Sequence, residues 1–125
     1  TKPKRLISLE MLIYKSLEYF FQYRCAIIVV TLDMMKKTGV SENELEGIAS
    51  IPRSIEGVDV GVTIREKQSG IYRVSVRTQE DVNAVSICEE FGGGGHACAA
   101  GFTFEGDIDD LRSEILGVIK EKIKV

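Results

Sequence analysis

The stretch Cys25-Ala-Ile-Ile-Val-Val-Thr-Leu32 constrains the fold of this chain more than any other. It opens with an uninterrupted apolar run, Cys25 to Val30, rich in β-branched side chains. An apolar run without alternation fits a strand buried on both faces. Such a strand sits inside a sheet with packed layers on either side, so the rest of the chain has to supply helices. As a helix the run would be far too short to cross a bilayer.

The flanking patterns meet that demand. Leu6, Leu9, Leu12, Ile13, Leu17, Phe20 and Phe21 form a helical stripe over residues 6–21, with Lys15 and Glu18 off it and Ser8 or an earlier residue as its cap. A short helix over 33–37 stops at Gly39, and Ser41-Glu-Asn-Glu44 reads as a capping box opening a helix that ends before Pro52. Val58, Val60, Val62 and Ile64 alternate with other residues, as in a half-buried strand over 58–65. After a turn at Lys67-Gln-Ser-Gly70, Tyr72, Val74 and Val76 form the inward side of a returning strand, with Arg73, Ser75 and Arg77 on the other. Asp81 is the expected cap of a helix carrying Ala84, Ile87, Cys88 and Phe91, and Gly92 stands where a left-handed terminating residue is wanted. Ala99 to Phe104 reads as a strand. Asp107 then caps a final helix with Ile108, Leu111, Ile115, Ile119 and Ile123 on one face. The expected architecture is α/β, a mixed sheet of about four to five strands with packed helices.

Composition narrows the function. The 125 residues suffice for one core without disulfide staples. A net charge of −3 lacks the basic footprint of a general nucleic-acid binder, so any polyanion site is small and local. The single histidine, His96, excludes a metal centre built on several histidines. Cys25, Cys88 and Cys98 are odd in number and lack a Cys-x-x-Cys spacing, which fits free thiols in a reducing compartment. Glu10, Lys15 and Glu18 interrupt the apolar residues behind the basic start, so no signal peptide is read. Cytoplasmic localisation with no membrane partner is therefore expected. The chain opens on Thr1 rather than methionine and runs straight into Lys-Pro-Lys-Arg, as expected of a piece of a longer protein.

The chemistry concentrates in Phe91-Gly-Gly-Gly-Gly-His-Ala-Cys-Ala-Ala-Gly101. Four consecutive glycines are entropically costly to order, and a plain connector rarely uses them. They allow another molecule to approach bare backbone N–H groups, as in anion cradles. The spacing matches neither G-x-G-x-x-G nor a Walker loop. A flexible turn with an incidental histidine is the alternative. His96 beside the glycines can donate to a phosphate oxygen, and Arg77 at the end of its strand is the best cation to stand beside them. Asn83 is either a ligand contact or a helix cap, whereas Arg65 and Arg73 are read as solvated strand residues.

The runs Val74-Ser-Val-Arg-Thr78, Val82-Asn-Ala-Val-Ser-Ile87 and Phe91-Gly-Gly-Gly-Gly-His-x-x-Ala-Ala-Gly101 resemble the DHH-associated C-terminal domain of the DHH phosphoesterases. The similarity is greatest to the nanoRNase and phosphoadenosine-phosphate phosphatase branch, which includes proteins called exopolyphosphatase-related. It implies an interdomain strap helix over 1–24 and a nucleotide- or nucleic-acid-binding domain over 25–125. It also implies substrate contacts from Arg77, Thr78, Gly93, Gly94, Gly95 and His96, with no catalytic residue and no metal ligand in this chain. Two manganese ions are expected in a separate DHH domain, through which the full-length protein is expected to dimerise. The substrate implied is a short oligoribonucleotide or phosphoadenosine phosphate. A stand-alone nucleotide-sensing module, and the substrate domain of a RecJ-type single-strand exonuclease or an exopolyphosphatase, are the alternatives.

Overall fold

The structure, a computed structural model, describes residues 1–124; Val125, the last residue of the expected domain, lies outside them. Its strands are β1 (Glu18–Phe20), β2 (Cys25–Val30), β3 (Val60–Gln68), β4 (Ile71–Thr78), β5 (Gly94–His96) and β6 (Ala99–Glu105). Its helices are α1 (Lys4–Ser16), α2 (Leu32–Thr38), α3 (Ala84–Cys88) and α4 (Ile108–Ile123). One sheet runs in the order β1-β2-β3-β4-β6-β5, parallel between β2 and β3 and antiparallel elsewhere. The α/β expectation holds, but the sheet has six strands rather than four or five. The additions are the two edge strands, β1 hidden within the apparent helical stripe and β5 made largely of glycine.

Ladder register sorts the sheet into two faces, because residues paired across neighbouring strands project to the same side. One face carries Cys25, Ile27, Val29, Val62, Ile64, Val74, Val76 and Phe102, packed against Ile87 of α3 and Leu111, Ile115 and Ile119 of α4. Phe91 stacks on Phe102 with ring centroids 4.4 Å apart. The other face begins with Ile28 and Val30 of β2, covered by Leu9 and Ile13 of α1 with Leu45 and Ile48. Beyond β3 this cover stops: Arg73 and Thr103 are exposed, and Ser75 and Arg77 half-buried.

Four local expectations are corrected. α1 ends at Ser16, not near residue 21. The Ser16 hydroxyl donates to Ile13 O and accepts from Val29 N at 3.0 Å, tying the helix end to β2. The chain then rounds the sheet edge through left-handed Phe21, Gln22 and Tyr23, so Phe20 and Phe21 reach the opposite core. Their apolar character mimics a helical stripe for an unrelated reason.

The helix expected after Ser41 is three 3-10 turns, Glu42–Glu44, Ile48–Ser50 and Pro52–Ser54. The capping bond does form, Ser41 N donating to Glu44 Oε1 at 3.0 Å, but Gly47 at φ 89° breaks the helical path. β3 is buried on both faces from Gly61 to Ile64 rather than half-buried, because it lies between β2 and β4 and beneath a turn. A Cβ added to Gly61 would stand 2.6 Å from the Arg53 backbone nitrogen. Finally, α3 is capped by Asn83, which accepts from Val85 N and Ser86 N, and not by Asp81. Asp107 caps α4 as expected.

Candidate functional site

The uncovered part of the sheet is built by β4 and β6. Strand alternation places Arg73, Ser75 and Arg77 side by side on the open face, and the ladder sets them opposite Thr103, Gly101 and Ala99. Long cationic side chains thus lie over a floor of small residues. A Cβ on Gly101 would stand 2.9 Å from Arg73 Nη2, so the absence of a side chain lets this guanidinium lie across β6, where Nη1 donates toward Thr103 Oγ1 at 3.4 Å.

The electrostatics of this face are unbalanced. Arg65 and Arg73 are directly opposed across the β3–β4 ladder, a like-charge pairing that works against the sheet. Glu42 stands 4.0 Å from Arg65 and also pairs with Lys67. Among the described residues Arg73 and Arg77 have no carboxylate within 4 Å. A protein of net charge −3 therefore presents two uncompensated guanidinium groups on one open surface.

Two hollows flank these groups. The first, about 240 Å³, is lined by Arg73, Gly94, Gly95 and Gly101; the second, about 350 Å³, by Thr63, Arg65 and the turn residues Asn43 and Leu45. Ser75 and Arg77 line both, so the hollows are two halves of one trough.

The glycine run divides by role. Gly92 terminates the turn after α3 at φ 77°. Gly93 is a packing residue, since a Cβ there would meet Gly101 O at 2.2 Å and its N–H donates to Cys88 O. Gly95 has φ 146°, and its Cβ would meet Ala99 O at 2.7 Å. Gly94 differs: its φ is ordinary and nothing lies within 4 Å of the added Cβ. Nothing inside the chain requires glycine there, yet Gly94 lines the trough. β5 is the last strand of the sheet, so its outer backbone groups have no ladder partner.

Of the sequence candidates, the fold thus gathers Arg77, Gly94 and Gly95 at one hollow. His96 is exposed at the end of β5, in the row of Ala99 and Arg77, on the trough face. Gly93 lies behind, under β6. Thr78 is not at the trough: it is 1% exposed and turned to the other face, its hydroxyl donating to Val82 O at 2.6 Å. Asn83 is spent on the α3 cap. Arg65 and Arg73, read as solvated, line the trough, as do Thr63, Ser75 and Gly101. The alternation of β4 already placed Arg73 and Ser75 beside Arg77 and was the signal that could have found them.

Burial pushes the Cys25 thiol up to about 12 and the Cys88 thiol up to about 11, which keeps both protonated and unreactive. No group of three or more metal-ligating side chains exists among the described residues, so the trough does not fit a metal centre. No helix among them is long and apolar enough to cross a membrane.

With this geometry, residues 24–124 match the model of the DHHA1 domain, and the chain belongs to that family. It is 33% identical over 97 residues to the bifunctional oligoribonuclease and PAP phosphatase NrnA of Thermus thermophilus, an overlap of 77% of this chain and 29% of that protein. It is 26% identical over 120 residues to a probable bifunctional oligoribonuclease and PAP phosphatase NrnA of Streptococcus mutans, over 94% of this chain and 38% of that protein. Among solved structures, an exopolyphosphatase-related protein from Bacteroides fragilis has the same fold, with a TM-score of 0.80 at 23% identity, over 99% of this chain and 35% of that one. The chain spans between 29% and 38% of the length of these curated relatives.

Proposed function

We propose that the trough binds the phosphate of short oligoribonucleotides or of phosphoadenosine phosphate, and that this chain is the substrate-holding part of a DHH phosphoesterase. The observation that carries the reading is the pair of uncompensated guanidinium groups, Arg73 and Arg77, beside a glycine that the fold does not need. A guanidinium fork matches phosphate oxygens in a bidentate way that an ammonium cannot. His96, on the same face, adds a donor. The activities for which the two NrnA relatives are named, oligoribonuclease and PAP phosphatase, suggest the substrate class.

The reading divides the labour between two domains. Two manganese ions, held by a partner DHH domain, would supply an activated water and charge stabilisation, in keeping with the lack of a metal-ligand cluster among the described residues. What Arg73, Arg77 and the β5 backbone contribute is position and charge. Dimerisation through that partner domain, and a reducing cytoplasmic setting for three free thiols, complete the proposal. Long polyanions are poor ligands here, because a trough with two free arginines offers no extended cationic track.

The test is a titration of the chain with a dinucleotide and with phosphoadenosine phosphate, followed by NMR. The amides of Gly94 and Gly95 and the Arg77 side chain should shift, the affinity should fall with salt, and Arg77→Gln should weaken it by about tenfold or more. Unmoved Gly94 and Gly95 amides would overturn the assignment.

A further inference from the structure

We propose that the larger half of the trough is a second subsite, which takes a nucleoside while Arg77 holds the phosphate that joins it to a nucleoside in the glycine half. The inference rests on the nucleotide reading above and names how much of the ligand this chain grips. Its starting point is Thr63, 1% exposed at the floor of the larger half, whose Oγ1 has no hydrogen-bond partner among the described residues. Buried polar side chains are almost always satisfied, and valine would fill the same volume without the penalty. Thr63 lines the cavity, so a group that enters it is a partner this hydroxyl can take up.

The surroundings select the chemistry of that group. Leu45 and Ile48, themselves nearly buried, form the apolar back of this half, and the exposed Asn43 offers a neutral amide for a base edge or sugar hydroxyl. Glu42 and Glu46 line the same half, and Arg65 there is already faced by Glu42 at 4.0 Å. A second phosphate would meet two carboxylates and no free cation; the glycine half contains no carboxylate in its lining. Charge therefore belongs at Arg77, and a neutral hydrogen-bonding moiety on the β3 side. The register row Thr63, Ser75, Gly101, Gly94 crosses four strands, about 14 Å at the usual strand spacing, which leaves room for a nucleoside on either side of one phosphate. The larger half, at about 350 Å³, is within the usual size of a small-molecule site.

The experiment titrates the 125-residue chain with ApA, which has two nucleosides and one phosphodiester, and with inorganic phosphate. Both ligands should move the Gly94 amide, and only ApA should move the Asn43 side-chain amide and the methyl of Ala49, which also lines the larger half. Thr63→Val should weaken ApA about tenfold and leave phosphate binding unchanged, whereas Thr63→Ser, which keeps the hydroxyl, should retain ApA affinity. If ApA moves Gly94 but not Asn43 and Ala49, or Thr63→Val binds ApA normally, the second subsite is wrong while the phosphate site stands. If neither ligand moves Gly94, both fall together.

Discussion

β4 is the boundary between two surfaces that share a backbone and little else. On one side Val74 and Val76 lie in a core closed by α3 and α4; on the other Arg73, Ser75 and Arg77 face a trough that no α-helix among the described residues covers. The second face is not polar throughout. Over β2 it is as apolar as the first, and α1 covers it with Leu9 and Ile13. Along this face the side chains turn from Ile28 to Thr63 to Ser75 to Gly101, from buried aliphatic to small and polar, as the cover runs out. The trough is therefore the place where one layer ends before the sheet does. A sheet closed on both faces would bury the arginines at prohibitive cost.

The sharpest way to break the contrast is to remove a large side chain from the covered face. Phe102→Ala takes out a fully buried ring stacked on Phe91 and should cost about 3–5 kcal/mol in denaturant unfolding. A paired substitution compares two glycines of the open face. Gly101→Ala forces a Cβ to within 2.8 Å of Val74 O and 2.9 Å of Arg73 Nη2, and should cost about 1–3 kcal/mol. Gly94→Ala meets nothing, so its stability should stay within about 0.5 kcal/mol of the parent while dinucleotide affinity falls. Equal stability losses for both variants would show that the run serves the fold alone.

The smallest effect concerns how the cover over β2 is fastened. The Arg5 guanidinium, helped by the Ser41 amide, holds the Glu44 carboxyl down at about 2. A depressed carboxylate contributes above its ordinary range, near 4.3, and the contribution is lost as pH falls through about 2. Amide exchange in α1 should accelerate over that interval, and Arg5→Gln should reduce the dependence to the part that the Ser41 amide supplies. Exchange in α4, on the opposite face, should show no step from this pair.

Much of this was legible before the structure. The β2 run, the β4 alternation, the left-handed ends at Gly39 and Gly92 and the Asp107 cap all stand as the sequence implies. Gly94, Gly95 and Arg77 meet at one hollow. Thr78 follows Arg77 in the sequence, but strand alternation turns its hydroxyl to the opposite face, away from the trough. Asn83 left two roles open, and the cap is the one observed. Thr63 was invisible: in sequence it is a small polar residue in an alternating strand, and its want of a partner arises only from what surrounds it.

What the sequence determined alone is local and periodic: which residues extend, which turn, which cap, and which share a side of one strand. Those properties depend on neighbours a few positions away. The tertiary structure alone decided which side would be covered and which residues of different strands would meet. Thr63, Ser75, Gly101 and Gly94 form one row because four strands align in register, and Arg73 and Arg77 stay uncovered because, among the described residues, no α-helix reaches that far across the sheet. Coverage and register are settled by packing between segments far apart in the chain, and no local pattern encodes them.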